Sequence, residues 1–147
     1  LKNVNAFVGF QLQQDNIRLV EEAQENEYTV MGNQNEIEQV FTNLILNARD
    51  AIKLVKNNGA ITVKFSKEGE WAAAEIIDEG GGIPEEIAPK IFDPFFTTKD
   101  VGRGTGLGLS ICQAIIEKHK GVITFKSEPG IGAAFTIKLP HAGENRN

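Results

Sequence analysis

Residues Asn35–Lys56, NEIEQVFTNLILNARDAIKLVK, carry the pattern that decides the architecture. Ile37, Val40, Phe41, Leu44, Ala48, Ala51, Ile52 and Val55 recur at steps of three and four. At about 100° per residue this lines them along one face of a helix, and that face must be buried. Asn43, Asn47 and Asp50 keep the same step roughly 80–140° to one side, which predicts a polar stripe bordering the core and facing a groove. Asn is a mediocre helix former and needs partners when half-buried. Two readings follow. The carboxamides bond neighbouring backbone, or they hold something from outside, and a carboxamide oxygen is a neutral hard ligand suited to Mg²⁺ that draws most of its charge compensation from phosphates.

On the N-terminal side of this helix, Gly32-Asn33-Gln34-Asn35 supplies N-cap candidates, with Glu36 or Glu38 as the reciprocal capping side chain. Tyr28–Met31 reads as a short strand, Gln24–Glu27 as a polar turn and Ile17–Ala23 as an alternating strand. Val4, Phe7, Val8 and Leu12 predict that Leu1–Gln14 is the end of a helix. On the C-terminal side, Asn57-Asn58-Gly59 stops the helix. Ala60–Lys67 and Glu70–Asp78 are predicted as a hairpin turning at Glu68-Gly69, the second strand the more central because it is richer in Ala and Ile. Pro84–Ile91 predicts one or two helical turns and Asp93–Gly106 a long loop. Leu107–Lys118 predicts a helix with Leu107, Ile111, Cys112, Ala114 and Ile115 inward; Val122–Lys126 and Ala133–Leu139 are strands joined at Glu128-Pro129-Gly130, and His141–Asn147 is a polar tail. Three helices beside about five mostly antiparallel strands make an α+β fold, a two-layer α/β sandwich with a mixed sheet.

The 147 residues suffice for one domain with a real core, at 41% hydrophobic and 24% charged. A net charge of −5 argues against a nucleic-acid surface while leaving room for a local basic pocket. One Cys rules out an internal disulfide framework and a Cys-based zinc site, and suits a reducing, cytoplasmic compartment. No apolar run approaches a membrane span, so no membrane contact is expected of this domain itself. The only Met is Met31, and the chain is expected to be a piece of a longer protein.

Two glycine stretches carry the chemistry. In Asp78-Glu79-Gly80-Gly81-Gly82-Ile83 a carboxylate ends a buried strand, where it can accept from an exocyclic amine such as that of adenine. Gly80 and Gly82 would let backbone approach a flat ring with no Cβ in the way. A D-x-G turn after a strand is also commonplace as simple structure. Gly102-Arg103-Gly104-Thr105-Gly106-Leu107-Gly108-Leu109 runs into a helix, so its N–H groups and the helix N-terminus favour polyphosphate; a flexible loop with an ordinary helix start is the plainer reading. It is neither a P-loop nor a dinucleotide fingerprint. Thr97, Thr98, Lys99 and Arg103 add hydroxyl and cationic donors, and Phe92, Phe95 and Phe96 read as the hydrophobic anchor of a mobile lid. His119, at a helix C-terminus, reads as a cationic cap rather than a catalytic group.

In this order and spacing the segments resemble the catalytic and ATP-binding domain of sensor histidine kinases, of the Bergerat-fold superfamily. Asn43–Ala48 resembles the family's N box, Asp78–Ile83 its first G box, Ile91–Lys99 its F box, Gly102–Leu109 its second G box and Ser127–Phe135 the closing one. The match covers 17–140, within a division into a connector helix at 1–14, the ATP-binding kinase domain at 15–140 and the tail at 141–147. The resemblance implies ATP and Mg²⁺ as cofactors, Asn47 as metal ligand, Asn43 as its support and Asp78 as reader of adenine. It further implies that Gly80, Gly82 and Ile83 line the base, that Phe92–Leu109 is the lid, and that Phe92, Lys99, Arg103, Gly104, Thr105, Gly106, Leu107, Gly108 and Leu109 touch nucleotide. Asn43, Asn47 and Lys99 would be the catalytic set. Two departures stand out. Asp50 occupies a position where these kinases often carry Lys or Arg, leaving Arg49 or Lys99 to face phosphate, and Ala133 stands where Thr is common.

The family's phosphoacceptor His lies on a separate dimerisation helix, a context that neither His119 nor His141 has. The implied partners are therefore a His-bearing dimerisation domain of the same protein and a response regulator receiver domain. Competing readings are a self-sufficient ATPase clamp, in which the Asn43 position would be expected to hold Glu as water-activating base, a catalytically silent nucleotide-binding module, and a serine kinase of the same fold.

Overall fold

The structure is a computed structural model describing residues 2–23, 30–94 and 108–141. Helix α1 (Lys2–Gln14) leads to strand β1 (Ile17–Ala23), then α2 (Gln34–Lys53), β2 (Gly59–Glu68), β3 (Trp71–Ile77), a 3₁₀ turn at Ala88–Lys90, α3 (Gly108–Lys118), β4 (Val122–Glu128) and β5 (Gly132–Pro140). The sheet order is β1-β2-β3-β5-β4, with β1 parallel to β2 and every other pair antiparallel. This is the two-layer α+β sandwich expected, and β3 is its central strand.

The register explains where the core lies. Val63, Ile76, Phe135 and Phe125 stand opposite one another across four strands, and Phe65, Ala74, Ile137 and Ile123 form a second such row. Both rows join the apolar cluster that α2 closes from above, where Val40, Leu44, Ile45, Ala48 and Ile52 are each no more than 4% exposed. Burying one such side chain is worth roughly 1.5–3 kcal/mol.

Several expectations shift by a turn or a face. Asn33 caps α2, its side chain accepting from Glu36 N at 3.0 Å. The helix ends at Lys53, so Val55 falls beyond it and is 54% exposed instead of completing the apolar stripe. Ile45, outside that stripe, is fully buried because α2 packs on α1 and α3 as well as on the sheet, so its buried arc is wider than one seam. In α3, Ala114 faces solvent and Ile116 is buried, the reverse of the spacing argument. Where Tyr28–Met31 was expected as a strand, the described part makes only an isolated antiparallel bridge, Val30 to His141. Pro84–Ile91 is a turn followed by the 3₁₀ segment, not an α-helix. The turn at 24–27, the tail beyond His141, and Phe95 to Leu107 lie outside the described residues.

The α2 N-terminus and the α3 C-terminus are tied together. His119 Nε2 accepts Asn33 N–H at 3.0 Å, and Nδ1 lies 2.8 Å from the Ile115 carbonyl, to which it donates. His119 thus caps α3 through its ring and at the same time holds the first turn of α2. Lys118 Nζ and Glu36 Oε1 pair at 3.0 Å alongside.

Candidate functional site

The opposite end of the sheet is built around Asp78, just past the last residue of β3. Its backbone continues the ladder, Asp78 N donating to Ala133 O at 2.9 Å. Ala133 stands across from Ser127 in β4, so Asp78, Ala133 and Ser127 form one row along the sheet's end. Asp78 as a residue is 7% exposed, and its Oδ1 accepts Gly80 N at 2.8 Å and Ala133 N at 3.3 Å. Oδ2 has no partner among the described residues. Burial pushes the carboxyl above its ordinary range, and the two backbone donors pull it part of the way back. Ala133 acts here through its main chain alone, so the hydroxyl that Thr would bring is not needed for either bond.

The glycine loop that follows is held against both layers. A Cβ on Gly80 would come within 2.7 Å of the Ala51 backbone, and one on Gly82, at φ +78°, within 2.5 Å of the Glu128 carbonyl. These glycines therefore permit close approach of the loop to α2 and to the β4–β5 turn, where the sequence suggested approach to a ligand ring. Gly130 N donates to Gly81 O at 2.7 Å, and Ile83 N donates to Ser127 Oγ at 2.5 Å. Glu79 Oε1 accepts Ala60 N at 3.0 Å, fixing the loop to the start of β2 as well. The contributions of Ser127 and Glu79 had no signal in periodicity or glycine spacing, since each acts across 44 or 19 residues of sequence.

Ala51, which Gly80 touches, lies one helical turn beyond Asn47, so the loop sits at the foot of the Asn43/Asn47 stripe. Both carboxamides are half-buried, and that of Asn47 has no partner among the described residues. Asn43 faces the thiol of Cys112 on α3, whose Sγ lies 3.8 Å from Val40 O. Burial pushes that thiol up to about 11, and the nearby Asn43 side chain moderates the rise. Asp50, the third member of the expected stripe, takes Arg49 at 3.0 Å instead. Arg49 also reaches Gln11 at 3.0 Å and Asp15 at 3.9 Å, and Lys53 meets Asp15 at 3.2 Å. Arg49 is thereby engaged by α1 and its following turn, which removes it as a phosphate-facing cation and gives Asp50 a structural reason.

Phe92 packs on Phe125 and Phe135, with centroids 6.0 and 6.3 Å away, as an anchor in the core would. Gly108 and Leu109 open α3, both half-buried. Lys99, Arg103, Gly104, Thr105, Gly106 and Leu107, with Phe95, Phe96, Thr97 and Thr98, lie outside the described residues.

Residues 32–143 match the family described as histidine kinase-, DNA gyrase B-, and HSP90-like ATPase. Sporulation kinase C of Bacillus subtilis is 38% identical over 111 residues, 76% of this chain, and the chain spans only 25% of that kinase's length. A nucleotide-free structure of the catalytic domain of histidine kinase ThkA is 34% identical, with a TM-score of 0.81, over 95% of this chain and 88% of that one. ThkA in complex with the response regulator protein TrrA aligns over 99% of this chain and 40% of that one, at 32% identity and a TM-score of 0.78.

Proposed function

Because the chain belongs to the histidine kinase-, DNA gyrase B- and HSP90-like ATPases, and within them to the histidine kinase catalytic domains, we propose that it binds Mg-ATP and passes the γ-phosphoryl group to a histidine on a separate dimerisation domain. The observation that carries the reading is Asp78, a buried carboxylate whose Oδ1 is held by two backbone donors and whose Oδ2 has no partner among the described residues. A buried acceptor without a donor costs about 1–3 kcal/mol, which the exocyclic amine of adenine would recover. The Asn47 carboxamide, half-buried and without a described partner, fits a metal that is held mainly through phosphate oxygens and water.

When bound, Mg²⁺ neutralises charge developing on the phosphate oxygens. The chain's own part is positioning. Asp78 orients the base, the glycine loop supports it, Asn47 holds the phosphate end in line with the Asn43 side of α2, and Lys99 and Arg103 of the lid supply cations. The acceptor imidazole nitrogen attacks the γ-phosphorus as the bond to the β-phosphate oxygen breaks, releasing ADP. Asn43 is a carboxamide and cannot take a proton from water, which favours transfer over hydrolysis. The ThkA–TrrA complex supports a receiver domain as the next acceptor. Among the described residues no helix is long and apolar enough to cross a membrane, and the role places the domain where ATP is, in the cytoplasm. We take residues 15–140 as the ATP-binding unit and α1 as the connector.

The test mixes radiolabelled ATP with this chain alone and with a His-bearing helical domain. The expected outcome is acid-labile phosphate on the added domain only. Stable label on this chain alone would favour a serine kinase, and rapid turnover without a partner an ATPase clamp.

A further inference from the structure

Resting on the ATP reading, we infer that Ser127 is a positioning residue that makes the Asp78 loop selective for the amine of the base. Its Oγ accepts Ile83 N at 2.5 Å and donates to Ile83 O at 3.3 Å, so one hydroxyl holds both polar groups of the residue that ends the loop. Ser127 also stands opposite Ala133, whose N–H and C=O hold the residue that begins it. The Asp78–Ile83 loop is thus pinned at its start through Ala133, in its middle by Gly130 to Gly81, and at its end by Ser127, all three from the β4–β5 hairpin. Only the last of these uses a side chain of the hairpin.

The consequence for chemistry runs through Gly80. Its N–H is one of the two donors on Asp78 Oδ1, and it lies in the loop that Ser127 closes at the far end. With the far end released, Gly80 and Asp78 gain freedom together, and the carboxylate no longer presents Oδ2 at a fixed angle. Hydrogen bonds weaken steeply with misalignment. Loss of the hydroxyl should therefore lower the advantage that an amino group gives a nucleotide, and not merely lower affinity.

The experiment measures dissociation constants for ATP and for purine riboside triphosphate, which lacks the 6-amino group, on the wild type, Ser127→Ala and Ser127→Thr, with amide exchange followed at Gly82 and Ile83. For Ser127→Ala we expect ATP binding weaker by about five- to tenfold, the scale of one hydrogen bond to buried backbone. We also expect the preference for ATP over the analogue to shrink severalfold, and faster exchange at Ile83. Thr, which keeps the hydroxyl, should restore the preference. Equal loss for both nucleotides with the preference intact would reduce Ser127 to a stabilising role and overturn the inference, as would Ala binding ATP like the wild type. A wild type without preference for the amine would instead overturn the reading of Asp78.

Discussion

The two ends of α2 are both tied to distant parts of the chain by polar bonds, yet they leave different remainders. At the N-terminal end the set is closed: Asn33 caps the helix, Asn33 N–H reaches His119, His119 reaches Ile115 O, and Glu36 meets Lys118. At the C-terminal end the loop against Ala51 is pinned as firmly, but Asp78 Oδ2 and the Asn47 carboxamide have no partner among the described residues. Both are buried or half-buried. Among the described residues the polar groups named at one end of α2 are paired while acceptors at the other are open, which is the contrast the proposed ATP site requires.

The sharpest way to break this contrast is Asn47→Ala. It should leave the circular dichroism unchanged, abolish the strengthening of ATP binding by Mg²⁺, and lower phosphoryl transfer to the His-bearing domain by about a hundredfold or more, since positioning and metal charge are most of what the enzyme contributes. Magnesium-dependent binding that survives the substitution would move the metal elsewhere.

Asp78→Asn should follow, weakening ATP by about 1–3 kcal/mol, because the amide presents a donor where the base needs an acceptor. Its effect on the apo protein should have the opposite sign. The folded carboxyl titrates above its ordinary value because charge is costly in this burial. The fold therefore bears that cost once pH has risen through the interval from the unfolded to the folded value, and is free of it below. Asn keeps an oxygen for Gly80 and Ala133 without the charge, so apo Asp78→Asn should melt higher than wild type at neutral pH. The gain should fade as pH is lowered through the carboxylate range. A variant that melts lower at neutral pH would mean that the charge itself holds the loop.

How much of this was legible in the sequence follows from the range of each interaction. The α2 stripe, the hairpins and the central place of β3 rest on local periodicity and were readable. Ile45 was not, because its burial comes from α1 and α3 flanking α2, and neither neighbour shows in a single stripe. Arg49 could be guessed toward phosphate from its place beside the Asn stripe. That it turns to Gln11 and Asp15 depends on where α1 packs. Asp78 stood out as a carboxylate before glycines, and His119 as a cap at a helix C-terminus, whereas the Ser127 bond to Ile83 and the His119 bond to Asn33 span 44 and 86 residues and left no local mark.

At the closed end, effects should fall on stability alone. His119→Ala removes both ring bonds, and the expected loss is about 1–2 kcal/mol by urea unfolding, with ATP affinity unchanged. A parallel loss of nucleotide binding would show that the two ends are coupled through α2, and would soften the contrast between them.

The smallest expected effect is a gain. The C-terminus of α3 closes as a Schellman turn, Lys120 N bonding Glu117 O and Gly121 N bonding Ile116 O, each at 2.9 Å. The left-handed residue in such a turn is usually Gly, and here it is Lys120, at φ +64°. Glycine is needed one position later for a different reason, since a Cβ on Gly121 would collide with the Lys138 carbonyl and come within 2.7 Å of Leu139 Cδ2. Lys120→Gly should relieve the backbone cost of the left-handed conformation, partly offset by the extra freedom of glycine in the unfolded chain, for a net gain of about 0.5–1 kcal/mol. Gly121→Ala should destabilise, so the pair of neighbouring substitutions should move the unfolding midpoint in opposite directions. ATP affinity should be unaltered by Lys120→Gly. A Lys120→Gly variant less stable than wild type would mean that the lysine side chain stabilises the closed end by more than its backbone strain costs.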